Sequence, residues 1–234
     1  MNIDYIVIES IFELRFQPNK LSVSEILPGM IYSHLSDDFP TVQKLPLANF
    51  PTILVNNDPN LLYLPTVILQ GTNCSLQIGN RVVSLSYLTP FAEWDFFSNK
   101  ISKITKTIEN TKQIEQLESF SIKYIYLSET KSRLSNFNVF IVVDGYNIAN
   151  ENISLQYQIK KDNIITHVKI ISPAEIKLFQ SGTKKNGVVV TIDCINEILN
   201  DKTNPWEYIY ININDVYESI NLLSKKIFKY KNNN

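Results

Sequence analysis

Three basic side chains carry the strongest chemical signal in the chain: Arg15 in IFELRFQ, Arg81 in LQIGNRVVSLSYL and Lys123 in SFSIKYIYL. Each falls in or at the end of a stretch alternating apolar and polar residues, with Phe16, Tyr87, Tyr124 and Tyr126 close by in sequence. Cationic groups interleaved with aromatics on a sheet can hold an anion, a nucleotide or a single nucleic-acid strand by charge and stacking. The simpler expectation for Arg81 is structural: it borders the apolar face beside its turn and pairs with a carboxylate such as Glu93. Trp94 and Tyr124 join the three cations as candidate contacts for a ligand or partner. Arg133 is the one remaining arginine.

Other chemistries lack their residues. His34, His167, Cys74 and Cys194 are too widely separated for zinc-ligand spacing, and Asp37-Asp38 reads as a solvated turn closing a helix. There is no Gly-x-Ser-x-Gly elbow and no glycine-rich phosphate loop. Cys194 sits in the apolar run TIDCINE, where burial would raise its pKa and leave the thiol inert. Glu9, Glu13 and Asp193 could meet only through folding, and Glu93 with Asp95 suit the positive end of a helix. No catalytic residue, cofactor or metal is therefore expected, and the reading leans away from an enzyme.

The elements that must position these residues follow from hydrophobic period. A strand is expected over 6–17, because Phe12, Leu14 and Phe16 alternate with Glu13 and Arg15. A helix follows from the capping-box spacing of Ser22 and Glu25, with Pro28-Gly29 expected to kink or restart it. The proline-rich stretch 41–69 holds PTILV and PTVIL, read as short strands near a sheet edge that dimer pairing could use. Gly79-Asn80 suits a two-residue II′ hairpin, which sets Ile78 opposite Arg81 and Leu76 opposite Val83. A helix over 90–113, entered at Pro90, shows the stripe Trp94, Phe97, Ile101, Ile104 and Ile108.

Polar residues 128–136 mark the best joint between an N-terminal half, 1–130, and a C-terminal half, 131–234. Beyond it, strands are expected near 137–143, 152–160 and 163–171, then a short helix at SPAEIKLF with Pro173 at its first position and Gly182 ending it. GVVVTIDCI reads as a buried strand, EYIYINI as an alternating one, and Asn214 as the cap of a final helix along Val216, Ile220, Leu223 and Ile227. The expected fold is α+β: mainly antiparallel sheet with amphipathic helices packed on one side. The two halves offer a similar succession of elements, without a residue-level repeat, and can form one continuous domain.

A chain of 234 residues that is 44% hydrophobic and carries twelve Tyr and twelve Phe can bury a substantial core. Its net charge of −1 gives the whole chain no pull on nucleic acid or an anionic membrane. The start, MNIDYIVIESIFELRF, lacks a signal-peptide pattern, and no segment reaches the roughly 18 uninterrupted apolar residues of a spanning helix. A cytoplasmic protein with reduced, buried cysteines and no membrane association is the expectation.

The order of these motifs resembles a sporadically distributed, uncharacterised bacterial and archaeal family of about this length. Its Ile-Gly-x-Arg turn matches Ile78, Gly79 and Arg81; its Trp-Asp helix entry matches Trp94 and Asp95; its Tyr-Ile strand matches Tyr124 and Ile125. Lys123 stands where that family usually has Arg, and Ala92-Glu93 where a Gly precedes the Trp. The likeness covers mainly residues 9–127 and implies no established activity. The family's patchy distribution is like that of accessory genes on mobile or defence-related islands. The expected function is thus a binding or adaptor protein, an accessory component acting through protein contacts or self-association. The alternative is an anion-, nucleotide- or nucleic-acid-binding protein or enzyme using Arg15, Arg81 and Lys123.

Overall fold

A computed structural model describes residues 5–20, 23–88, 93–129, 134, 137–148, 151–178, 182–199 and 204–228. Ser22 and Pro90, on which expectations rested, lie outside those residues, as does Arg133. In chain order the elements are β1 (Ile6–Pro18), α1 (Val23–Leu35), β2 (Thr41–Lys44), a 3-10 turn (Pro46–Asn49), α2 (Thr52–Asn57), β3 (Pro65–Gln70), β4 (Cys74–Gly79) and β5 (Val82–Leu88). Then come α3 (Trp94–Thr111), β6 (Ile114–Ser128), a small hairpin of β7 (Val142–Val143) and β8 (Tyr146–Asn147), β9 (Ile153–Lys161), β10 (Ile164–Lys177), β11 (Lys184–Glu197) and α4 (Pro205–Ile227).

Nine strands form one antiparallel sheet in the order β2-β3-β4-β5-β1-β6-β11-β10-β9. The fold is α+β, as the hydrophobic periods imply. The order reads outward from the central β1–β6 pair: β5, β4, β3 and β2 on one side, β11, β10 and β9 on the other. In each direction the central strand pairs with the strand that precedes a long helix, α3 or α4.

Strand alternation divides the sheet into two faces. Phe12, Leu14, Phe16, Leu76, Ile78, Val83, Leu85, Phe120, Ile122, Val190 and Ile192 point to one face and are fully buried there. Helices α1, α3 and α4 cover that face, with α4 packed on β6 and β11 and α1 on β3 and β4. Each fully buried Phe or Leu stabilises the fold by about 2–3 kcal/mol relative to exposure. The other face carries Glu9, Glu13, Arg15, Gln77, Ser84, Lys123 and Asp193 and has no helix on it among the described residues.

The stripe predicted for α3 holds: Phe97, Ile101, Ile104 and Ile108 are buried. At its start Trp94 stacks flat on Tyr217 of α4, centroids 4.0 Å apart at 2°, and its indole N–H donates to Asn214 at 3.0 Å. Helix α1 runs continuously through Pro28, which lies inside its second turn instead of restarting it. Asp38, just past that helix, receives hydrogen bonds from Lys100 at 2.6 Å and Lys103 at 2.7 Å on α3, so it clamps two helices and is not a free turn residue. Burial alone would raise the Asp38 carboxyl, but hydrogen bonds and charge from the two lysines outweigh it and hold the group below its ordinary value. A carboxylate depressed in the folded state contributes stability above its unfolded pKa, and that contribution is lost as pH falls through the folded value. The stability gap between wild type and Asp38→Asn should therefore be about 1 kcal/mol at pH 7, reduced by solvent screening. Urea melts at successive pH values should show it constant down to roughly pH 5 and closing below about pH 4.

Four local expectations are corrected. PTILV is not a strand but part of α2, because Pro51 precedes a short turn of helix in which Val55 turns inward. SPAEIKLF is not a helix: Ser172-Pro173 is a cis bond at a break in register, and Ala174–Lys177 stay extended by pairing with residues 184–187. Gly182 instead takes a positive φ of 65° in the turn of that hairpin. EYIYINI belongs to α4, whose cap is Asn204, not Asn214; the Asn204 side chain accepts from the Glu207 N–H at 3.2 Å, with Pro205 in the first turn. The alternation of EYIYINI misled because Ile209, Ile213, Val216 and Ile220 also recur at helical spacing, and all four are buried. Lastly, the strand expected at 137–143 reduces to a bridge from Phe137 to Phe228 and the two residues of β7.

Candidate functional site

The β4–β5 pairing is shifted by two residues from the expected register. Ile78 faces Val83 and Leu76 faces Leu85, so Arg81 lies in the connection and not opposite Ile78. A shift of two preserves the faces, and the apolar and polar sets of the hairpin stay as predicted. The Arg81 carbonyl accepts from the Phe16 N–H at 3.0 Å, which ties the turn to β1.

Arg15 and Arg81 meet around Tyr63. The Arg15 guanidinium lies 4.7 Å from the Tyr63 ring centroid, and its Nε donates to Glu13 at 2.7 Å. Arg81 Nη1 is 3.7 Å from Glu118, and the Tyr63 hydroxyl donates to the same carboxylate at 2.6 Å. Burial, then the Glu118 hydrogen bond and charge, push the Tyr63 phenol above its ordinary pKa, so it remains a donor. Glu118 reaches this position through a β-bulge: Arg15 faces Ser119 while Phe16 faces Leu117, which leaves Glu118 as the extra residue. Sequence reading missed Tyr63 and Glu118, since nothing in the pattern of 114–128 announces a bulge.

Lys123 stands four residues along β6 from Ser119, about 13 Å away by strand rise. It pairs with Asp193 on β11 at 3.0 Å. All three cations are thus matched by carboxylates: Arg15 by Glu13, Arg81 by Glu118 in place of the expected Glu93, and Lys123 by Asp193. Strand parity also separates them from the aromatics near them in sequence. Phe16, Tyr87, Tyr124 and Tyr126 point to the helical side, and only Tyr63 stacks on a guanidinium among the described residues. Tyr124 is 3% exposed, and burial raises its hydroxyl well above the ordinary phenol range. Trp94 is half-buried in the α3–α4 contact. Cys74 and Cys194 are free and buried, and burial pushes the Cys194 thiol up to about 11, as its apolar strand implies.

A different region concentrates exposed apolar surface. Edge strand β2 is exposed throughout, and beside it Phe50, Ile53 and Leu54 are 54%, 69% and 58% exposed. A groove of 660 Å³ runs between α1 and the 3-10 turn, with Val42 and Val67 at its floor and Tyr32, Leu47, Phe50 and Val55 in its walls. The Leu45 N–H bonds the Thr66 carbonyl at 2.8 Å. By strand alternation the backbone groups of Gln43 and Thr41 also face β3, so those of Val42 and Lys44 face outward. The groove floor and the open backbone edge are therefore contiguous.

No described helix is long and apolar enough to cross a membrane. No family model and no curated protein matches the chain.

Proposed function

We propose that the protein is a non-enzymatic adaptor, an accessory component that takes an extended segment of a partner protein onto the β2 edge. The observation that carries this reading is the join between outward-facing backbone groups at Val42 and Lys44 and the apolar groove beside them. An added strand gains main-chain hydrogen bonds from the edge, and its alternate side chains enter the groove. The matched cations on the opposite sheet face favour protein contact over anion or nucleic-acid binding, since each positive charge already has a carboxylate.

Two substitutions test the reading. Lys44→Pro removes an outward N–H without breaking a bond to β3, and Phe50→Ser strips the groove wall. Both should fold with melting temperatures within about 5 °C of wild type, because exposed changes cost little. A stoichiometric partner cross-linking to β2 should co-purify with wild type and fall at least tenfold with either variant. Recovery of no such partner, or equal recovery with Lys44→Pro and Phe50→Ser, overturns the proposal.

A further inference from the structure

A second concave site lies on the opposite face of the sheet, remote in role from the β2 edge. The β10–β11 hairpin continues past the sheet as an arm: Ala174–Lys177 pair with 184–187, Lys184 binds Glu175 at 2.7 Å, and Leu178 N–H bonds the Thr183 carbonyl at 2.9 Å. Lys185 anchors the arm to Glu129 by a further ion pair. Between this arm and the ends of β1, β3, β4 and β5 is a cleft of 660 Å³, within the usual range for small-molecule sites.

The walls are apolar: Ile8, Ile68 and Leu88 on the sheet, Ile176 and Leu178 on the arm. Ile8 reaches the cleft because it is the extra residue of a bulge between Val7 and Glu9. The cleft also contains Glu9, whose Oε1 accepts from the Ser86 hydroxyl at 2.5 Å, and the side-chain amides of Gln70 and Gln77. Among the described residues no Lys, Arg or His forms an ion pair with Glu9; Lys177 of the arm also lines the cleft, but it is exposed and forms none. Glu9 differs in this from Glu13, Glu118 and Asp193 on the same face, each of which holds a cation.

We infer that this cleft binds a small organic cation, a primary ammonium on an apolar body, with Glu9 as its counter-ion. Ser86 fixes the carboxylate, which leaves its second oxygen to pair with the ammonium. The apolar body lies between Leu88 and the arm residue Leu178, and Gln70 and Gln77 accept the remaining ammonium hydrogens. A carboxylate ligand of the same length would meet Glu9 with like charge.

Isothermal titration with phenethylamine, phenylpropionate and phenylethanol, all on the full chain, tests this. Phenethylamine should bind saturably at one site, at least tenfold more tightly than either of the other two. Glu9→Gln, nearly isosteric, should weaken phenethylamine at least tenfold while leaving the melting temperature unchanged. Gln77→Lys, which places a further cation on the sheet side of the cleft, should do the same, so a fold defect in one variant does not decide the outcome. Equal binding of the three probes, no binding of phenethylamine, or unchanged affinity in a folded Glu9→Gln overturns the inference. None of these results bears on partner capture at β2.

Discussion

Trp94→Ala should be among the most damaging single substitutions outside the sheet, lowering stability by about 3 kcal/mol. The indole joins α3 to α4 by a flat stack on Tyr217 and a hydrogen bond to Asn214. Both helices rest on the same face of the sheet, and they also meet where the Tyr210 hydroxyl donates to Glu109 at 3.5 Å, with Lys106 near the Tyr210 ring. Truncation removes the ring and leaves Asn214 without its donor. In thermal denaturation the midpoint should fall by roughly 6–12 °C for a chain of this size. Trp94→Phe keeps most of the ring contact and should cost only about 1 kcal/mol, the share of the hydrogen bond. A double cycle with Tyr217→Ala should return a coupling of about 1 kcal/mol for the stack. Near-wild-type stability of Trp94→Ala would show that α3 and α4 are held by the sheet alone.

Gly187→Ala should be of comparable severity for a different reason. A Cβ at this position would lie 2.1 Å from the Ser128 carbonyl oxygen and 2.9 Å from its carbon. Those are backbone atoms of the neighbouring strand, and β6 cannot yield without losing its pairing to β1. The substitution should cost about 2–4 kcal/mol and separate β11 from β6 at the base of the arm. Hydrogen exchange should then quicken first at Val188 and Ser128, where the two strands pair, before the rest of the sheet. Unchanged protection there would mean that the strands absorb the methyl by a small shift.

Legibility in the sequence follows the range of the forces involved. Alternation in IFELRF and SIKYIY is local, and it put Phe12, Leu14, Ile122 and Tyr124 on one face and Arg15 and Lys123 on the other without further information. The stripe of α3 is equally local. Periodicity fails where two periods coincide, as in EYIYINI, and there the capping pattern Asn204, Pro205, Glu207 was the better signal. Capping chemistry fails in turn at SPAEIKLF, where tertiary pairing with 184–187 overrides a helix signature.

The Arg15–Arg81 cluster and the Glu9 cleft were harder to read, because both depend on bulges. Glu118 and Ile8 are extra residues in otherwise regular ladders, and a bulge arises from the fit of two strands more than from the composition of either. Tyr63 was equally hidden, since it meets Arg15 and Glu118 only through contacts between residues far apart in the chain. What the sequence by itself determined is the class of fold, the two faces of the sheet and the burial of both cysteines, since these rest on local hydrophobic period. Tertiary structure alone decided which carboxylate meets which cation, that β2 is left with an open edge, and that Glu9 has no cation among the described residues. Those are outcomes of strand order and register, and contacts between residues far apart in the chain leave no periodic trace along it.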